Sequence, residues 1–511
     1  MAGKASKQAV HAKSGALTKR PPVVAILGHI DHGKSTLLDY IRKTHIVDEE
    51  AGGITQAISA YEVERTSGEK TEKITFIDTP GHEAFSGMRE RGATTADIAI
   101  LVVSAEDGVK KQTLEAYKEI EKAKVPFIVA INKIDKPSAN VEKTKISLAE
   151  AGIYLEGYGG NISFVAISAK TGAGVDELLD LILLTAEISD LKGDATKPAE
   201  GTVIEADRDP KKGISATLVI KNGSIGPGMF VASGTAFSPT RIIENHAGKK
   251  ITEATFSSPI RLVGWNKAPA VGSTFVTFTS KRDLEEYVEE AKIQESKAKP
   301  AEKRDPAQSD KKIIPLIVKA DVLGSVEAIE HEVRKIQSER VLIKVIYASI
   351  GDITESDIKV AGADPETLVV GFNVKIDSQA KAMIERLNLA HASFDIIYKL
   401  VEWIADRVKE RTPKVEVEEV AGKAKILKFF SRTKDKQIIG GKVIDREIRL
   451  GHRVKICRRE TIIGEGVIRE LQQTKLKTDS VQEGFEFGAM IDSKMELAPG
   501  DVIEDIVMVE K

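Results

Sequence analysis

Residues 28–39 read GHIDHGKSTLLD and follow the apolar run VVAIL at 23–27. Gly28, Gly33, Lys34 and Ser35 fall at the spacing G-x-x-x-x-G-K-[ST], between a predicted buried strand and a predicted helix. Glycines let backbone N–H groups converge on phosphate oxygens without Cβ clashes, and the helix that follows points its positive end at them. Lys34 is placed to reach β and γ phosphates, and the Ser35 hydroxyl to bind Mg²⁺. The loop His29–His32 and the adjoining Thr36 complete this cradle. The reading decides the fold of the first part of the chain: a strand–loop–helix of this kind belongs to a parallel α/β sheet.

Working outward, apolar runs alternate with helical patterns: VVAIL, STLLDYIRK, ITFID, DIAILVVSA, QTLEAYKEIEKA, PFIVAINKID, ISFVAIS and VDELLDLILLTA. Buried strands separated by amphipathic helices predict a parallel sheet covered on both faces. From about Gly201 to Thr279 the texture changes to short β-rich runs between Gly and Pro turns, which reads as a small antiparallel barrel. DLEEYVEEAKIQES is polar and helical, and KAKPAEKRDPAQSDKK has little to bury. IPLIVKADVLGSVEAIEHEVRKI opens a second, smaller α/β pattern, and 412–511 returns to short strands and turns.

The 511 residues are 41% hydrophobic and 30% charged, with a net charge of −2. No global field points to nucleic acid or to an acidic membrane, so such a partner needs a local patch. One is present: 421–480 holds sixteen Lys/Arg against seven Asp/Glu, an RNA-contact signature in the last barrel. No apolar run approaches the roughly 20 residues of a membrane helix, so no membrane partner is expected. The single cysteine, Cys457, is read as a small buried apolar residue. The first twenty residues carry five Lys/Arg and no acid, and read as a basic disordered tail.

Two further motifs select the base. Asn132–Asp135, NKID, follows PFIVAI. An aspartate there accepts from both N1–H and the 2-amino group of guanine; adenine offers no such pair, and a buried unpaired carboxylate rejects it. Asp135 is therefore the specificity residue, with Asn132 and Lys133 bracing the loop and covering the ring and Ile134 between them. Ser168–Lys170, SAK, follows ISFVAI and offers the Ala169 N–H to guanine O6. Asp78, Thr79, Pro80, Gly81 and His82 form DTPGH after ITFID. Asp78 is placed to hold Mg²⁺ through water, the Gly81 N–H to sense the γ phosphate and His82 to orient the attacking water. Gly53, Ile54, Thr55, Gln56 and Ala57 lie in EAGGITQAISAY, a switch loop in which Thr55 is the third candidate Mg²⁺ ligand beside Ser35 and Asp78. GTP and GDP are the expected ligands.

GHIDHGKST, EAGGITQ, DTPGHEAF and NKID resemble the translational GTPases. Together with IPLIVKADVLGSVEAI, GDITESDI, GFNV, FDIIYKLVEWI and GGKV they resemble the bacterial-type translation initiation factor 2 family across roughly 21–511. The resemblance implies a multidomain α/β chain: a basic tail at 1–20, a P-loop GTPase domain at 21–195, a β-barrel at 196–281, a helix and linker at 282–312, a small α/β domain at 313–411 and a C-terminal β-barrel at 412–511. It implies a monomer of the cytoplasm, or of an organelle matrix. Such a protein binds GTP and the small ribosomal subunit, recruits formylmethionyl initiator tRNA, promotes joining of the large subunit and hydrolyses GTP on the ribosome. Glu486, Phe487 and Gly488 then fall in the tRNA-binding barrel. The chain departs from the family pattern at Ala57, where histidine is usual, at Phe487, where cysteine is usual, and at Gln472, Gln473 and Thr474, which replace a basic and aromatic loop. The rival readings are an elongation-type GTPase that delivers a special aminoacyl-tRNA, a guanine-nucleotide-binding ribosome-associated protein with little hydrolysis, and a nucleotide-independent RNA scaffold.

Overall fold

The VVAIL run becomes a strand because every residue of it is swallowed from both sides. In the computed structural model, which describes residues 17–43, 55–67, 70–298, 311–336, 340–412 and 416–510, β1 (Val23–Gly28) is buried along its whole length. Val24 and Ile26 pack with Leu37 and Leu38 on one face and share that core with Leu178 and Ile182; Ala25 and Leu27 face Ala116, Ile120 and Leu148 on the other. Fully burying a Val, Leu or Ile contributes roughly 1.5–3 kcal/mol, so this strand anchors its sheet. Residues 1–16 of the expected basic tail, Gly53 and Ile54 of the switch loop, and the linker stretch 299–310 lie outside the described residues.

The chain divides into two compact units, up to Arg411 and from Thr412 onward. The first opens with α1 (Lys34–Arg42), β2 (Ser59–Ser67), β3 (Lys70–Asp78), a single 3₁₀ turn at Glu83–Phe85, and α2 (Ser86–Thr95). β4 (Ile98–Ser104), α3 (Lys111–Ala123), β5 (Phe127–Asn132), α4 (Val141–Glu150), β6 (Phe164–Ala166) and α5 (Val175–Ile188) follow. The strand order is β2-β3-β1-β4-β5-β6. Every pairing is parallel except β2 with β3. The sequence reading expected a wholly parallel sheet and did not see β2. SAYEVERTS alternates apolar and polar residues, as a half-exposed edge strand does, and it pairs antiparallel with its successor through a tight connection.

An eight-stranded antiparallel sheet comes next: β7 (Glu200–Asp209), β8 (Gly213–Asn222), β9 (Phe230–Ser233), β10 (Ala236–Pro239), β11 (Ile242–Asn245), β12 (Lys250–Ile251), β13 (Pro259–Val263) and β14 (Thr274–Phe278). Its inward side chains, among them Val203, Leu218, Ile260 and Phe275, share one core. Helix α6 (Lys281–Ala298) leads to a four-stranded parallel sheet ordered β16-β15-β17-β18. This sheet comprises β15 (Lys312–Ala320), β16 (Val341–Ile350), β17 (Leu368–Phe372) and β18 (Ala390–Phe394), with helices α7 (Leu323–Lys335), α8 (Glu355–Ala361), α9 (Ser378–Leu387) and α10 (Ile397–Arg411).

These three parts of the first unit are locked together. Asp97, before β4, receives Arg20 at 2.6 and 2.7 Å and Lys221 of β8 at 2.8 Å. A shared apolar core joins Ile58, Ala84, Phe85 and Met88 to Ile204 and Val219 and to Leu316, Val318 and Ile329. Beside it lies Glu205 of β7, 5% exposed, whose Oε1 accepts from the backbone N–H of Gly324 at 3.0 Å and of Ala206 at 2.9 Å. Met88 of α2 approaches the same glycine: a Cβ on Gly324 would stand 2.5 Å from its methyl.

The second unit is a closed antiparallel barrel of β19 (Glu416–Thr433), β20 (Lys436–Arg449), β21 (Arg453–Arg458), β22 (Thr461–Gln473), β24 (Glu486–Asp492) and β25 (Val502–Glu510), with β23 (Ser480–Gln482) paired to β20. The sequence reading expected short strands here, yet β19 and β20 span 18 and 14 residues. Register shifts at Lys423/Ala424, Ile426/Lys428 and Phe429/Ser431 let one long hairpin bend around the barrel instead of ending.

Burial pushes the Glu205 carboxyl up to about 7, with Arg91 opposing and Glu327 adding to the effect. A carboxyl raised in the folded state contributes stability below its ordinary range near 4.5 and loses it as pH climbs through 7. Glu205→Gln, neutral at every pH, is expected to match the wild type at about pH 4 and to exceed it at pH 8 by up to about 3 kcal/mol. Urea unfolding of the full chain at the two pH values checks this; equal differences at both would contradict it.

Candidate nucleotide site

The loop after β1 is held so close to β4 that only glycine fits at its start: Gly28 has φ +145°, and a Cβ there would stand 2.4 Å from the Val102 carbonyl. Gly33, φ +87°, caps α1 and has no room either, with Asn132 Nδ2 2.4 Å from where its Cβ would be. Between them Asp31 adopts φ +62°. The Ile30 N–H donates to Gln112 of α3 at 3.0 Å. His32 is fully buried; its Nδ1 accepts from the Ser104 N–H at 3.3 Å, and burial drives its pKa down to about 3. The ring is neutral and braces the loop. His29 stands edge-on to it, 4.8 Å between ring centres, its pKa also lowered by burial.

Lys34, 6% exposed, turns its ammonium back onto the loop and donates to the Gly28 and His29 carbonyls at 3.0 and 2.8 Å. Burial lowers it to about 8, with Asp78 opposing. The ammonium lies 2.5 Å from where a Cβ on Gly81 would be, so the glycine and the lysine stand side by side in the wall of a cavity of about 260 Å³. Gly81, His82, Ser35 and Thr55 share its wall. The Ser35 and Thr55 hydroxyls, 20 residues apart in sequence, lie 2.9 Å apart. Asp78 is buried at the end of β3, and Thr79 donates to the Ile26 carbonyl at 2.7 Å, tying DTPGH to β1 beside the buried Pro80.

His82 precedes the 3₁₀ turn, and its Nδ1 accepts from the Ala84 N–H at 3.1 Å. Burial lowers its pKa, with Glu332 of α7 opposing and Arg89 reinforcing. The ring is therefore neutral at pH 7 with its one proton on Nε2, where it can donate to a water but not accept from one.

The base-selecting motifs converge through Asn132. Its Nδ2 donates to the His32 carbonyl at 2.8 Å, and its Oδ1 accepts from the Ala169 N–H at 2.9 Å. The Ala169 N–H, read from the sequence as a donor to guanine O6, donates to Asn132 here, because the amide bridges the two loops. Asp135 is exposed; the Ser168 hydroxyl donates to it at 2.7 Å and holds its carboxyl below the usual range. Lys133, φ +67°, sits 3.8 Å from Glu106, with Ile134 half-buried behind it. A second, larger cavity is lined by Thr36, Tyr40, Ala169 and Lys170.

Switch residue Gln56 was assigned no partner from sequence. It is 7% exposed, and its amide donates to the Asp395 carbonyl at 2.7 Å while accepting from the Ile397 N–H at 3.3 Å, at the start of α10. Ala57 beside it is half-buried. Gln112 was also missed, since a lone glutamine in a helix carries no motif.

In the second unit, Glu486 and Phe487 are exposed and buried respectively, and Gly488 lies half-buried on the same side of β24 as Glu486. Phe487 is 4% exposed and belongs to the barrel core with Ile426 and Val443. It is corrected as a candidate tRNA contact: strand alternation turns it inward, and its ring fills the space beside Gly441, whose Cβ would stand 2.7 Å from it. Gln472 and Gln473 end β22, and Thr474 turns at φ +51°.

Comparison with known proteins finds three family matches along the chain: the elongation factor Tu GTP-binding domain at 19–187, elongation factor G domain 2 at 198–278, and translation-initiation factor 2 at 288–405. The chain is 41% identical over 500 residues to translation initiation factor IF-2 of Bacillus licheniformis, covering 96% of this chain and 69% of that protein. It is 41% identical to that of Bacillus subtilis, again 96% and 69%. It is 40% identical to the chloroplastic IF-2 of Rhodomonas salina, 97% and 66%. Among solved structures, GDP-bound aIF5B from Aeropyrum pernix aligns at 26% identity and a TM-score of 0.48, covering 96% and 92%.

Asp135→Asn is expected to weaken GTP binding by about a hundredfold or more and to favour xanthosine triphosphate, because the amide donates to the 2-oxo group and accepts from N1–H. Competition between the two nucleotides measures the preference; retained tight GTP binding would contradict the assignment.

Proposed function

This chain belongs to the translation initiation factor IF-2 family, and we propose that its GTP site times the joining of ribosomal subunits. The protein is a GTP-binding initiation factor; GTP and GDP are its ligands. In this reading it binds the small subunit, recruits (formyl)methionyl initiator tRNA through the 412–511 barrel, promotes entry of the large subunit, hydrolyses GTP there and leaves with GDP.

The observation that carries the reading is the meeting of Ser35 and Thr55 hydroxyls at 2.9 Å beside Lys34 and Gly81. Two oxygen donors from the phosphate loop and the switch fit a hard divalent cation. Ser35 and Thr55 would hold Mg²⁺ directly and Asp78 through water; when bound, the ion neutralises charge between the β and γ phosphates. Thr55 then reports the γ phosphate, and its neighbour Gln56 carries that report to the start of α10. Gly81 offers its N–H to the γ phosphate. His82, neutral with Nε2–H free to donate, orients the attacking water, and the water's proton passes to phosphate oxygen because the ring's other nitrogen is engaged. This is positioning and charge neutralisation, which phosphoryl transfer chiefly needs.

The free protein is expected to hydrolyse GTP slowly and ribosomes to accelerate it strongly. His82→Ala should lower the accelerated rate about a hundredfold or more with GTP affinity unchanged; an unchanged rate would remove His82 from the mechanism. The full chain is expected to bind aminoacylated initiator tRNA about tenfold tighter than the uncharged form, with affinity falling steeply in salt. Filter binding at several salt concentrations tests this, and equal affinities would assign tRNA selection elsewhere.

A further inference from the structure

His82 can act only if its backbone aims the ring at the water: the Ala84 N–H on Nδ1 at 3.1 Å and the Phe85 N–H on the His82 carbonyl at 3.0 Å brace it locally, but both belong to the same short turn and tie it to nothing outside itself. Arg89 of α2 supplies the outside tie. It is 1% exposed, a buried arginine seven residues beyond the histidine. Its Nη1 donates to the Gly81 carbonyl at 3.3 Å and also to the His82 carbonyl. The first carbonyl shares a peptide plane with the His82 N–H, and the second shares one with the Glu83 N–H. Peptides are planar, so gripping both fixes the two planes that flank the His82 Cα, and with them the direction of its Cα–Cβ bond.

The grip is itself held. Arg89 Nε donates to Glu119 of α3 at 3.1 Å, and Nη2 lies 3.7 Å from Glu115. Burying a guanidinium costs several kcal/mol unless it is paired and hydrogen-bonded, and these carboxylates and carbonyls supply both. A planar fork with five N–H donors reaches carboxylate and carbonyls at once; a lysine ammonium in the same place reaches fewer.

We propose that Arg89 is a positioning residue for GTP hydrolysis: it anchors the peptides on either side of His82 to α3 and so sets the ring for the attacking water. The proposal rests on His82 being the water-orienting group. A merely structural role, pinning α2 to α3, would cost stability and leave the catalytic step alone.

The test uses the full chain in single-turnover GTP hydrolysis with and without ribosomes, with fluorescent-GDP binding and thermal unfolding alongside. Arg89→Gln is expected to lower the hydrolysis rate constant by about tenfold to a hundredfold, with GDP affinity and the half-saturating ribosome concentration changed less than twofold. Arg89→Lys should fall between. In a His82→Ala background, either change should cost less than a further twofold, since there is no ring left to aim. Should Arg89→Gln fail to fold, Arg89→Lys and Glu119→Gln carry the same cycle. An unchanged rate constant, or losses that multiply with that of His82→Ala, would overturn the proposal. Absence of ribosomal acceleration in the wild type would refute the functional reading instead, and the same cycle on the intrinsic rate would still decide the role of Arg89.

Discussion

One buried amide holds the nucleotide site together. Asn132, 1% exposed, donates to the phosphate loop at His32 and accepts from the SAK loop at Ala169. Those loops follow β1 and β6, strands with β4 and β5 between them in the sheet, and Asn132 ends β5. The tie is so close that Gly33 has no space for a side chain beneath it. A net hydrogen bond is worth only about 1 kcal/mol, but a buried amide left half-paired costs more than that. Loss of either partner is therefore felt at both loops, and the phosphate and base subsites keep a fixed separation.

From that rigid floor the proposed switch loop at 55–57 and a second proposed switch, 81–85, reach outward into the rest of the first unit. Gln56 joins the phosphate-sensing loop to the first turn of α10, and Glu83 lies 3.7 Å from Lys335 of α7. Ala84 and Phe85 sit in the core they share with β15 and α7. Moving either switch thus disturbs packing as well as hydrogen bonds, and packed cores favour discrete arrangements over gradual deformation. On the proposed function, a γ phosphate that orders Thr55 would in this way act on a domain it never touches. Arg89 supplies the opposite constraint, tethering the Gly81 and His82 carbonyls to α3; on the proposal above, this keeps the His82 ring on its aim while its surroundings repack.

The sequence marked the phosphate- and base-binding candidates because those motifs are local: Lys34 must follow Gly33, and Asp135 must lie three residues past Asn132. It did not show Gln56, Arg89, Gln112 or Glu205 at work, since each finds its partner through tertiary packing. Gln56 reaches Asp395, 339 residues on, and Glu205 meets Gly324, 119 residues on. An arginine in a helix reads as a solvated charge until the fold buries it. β2 was hidden for a different reason: its start, residues 59–61, fell in the stretch read as a switch loop, and the polar-rich remainder, EVERTS, carries no apolar run.

Phe487 shows how a departure from a family pattern is to be weighed. A bulky ring at a position usually held by cysteine suggests an altered ligand pocket, but period-two alternation along β24 settles its direction: inward, between outward Glu486 and Gly488. Its extra volume is met by the missing side chain of Gly441, its register partner on β20. The substitution is thus absorbed by the core. The outer face is shaped instead by the opposed pair Gly440 and Gly488, neither bearing a side chain, with Phe430 lying over Gly440 and Gln472 in register beside Gly488. Glu486, Gln472 and the exposed Phe430 are thus the side chains that stand on this face, and Phe487 touches it only through the barrel wall it supports.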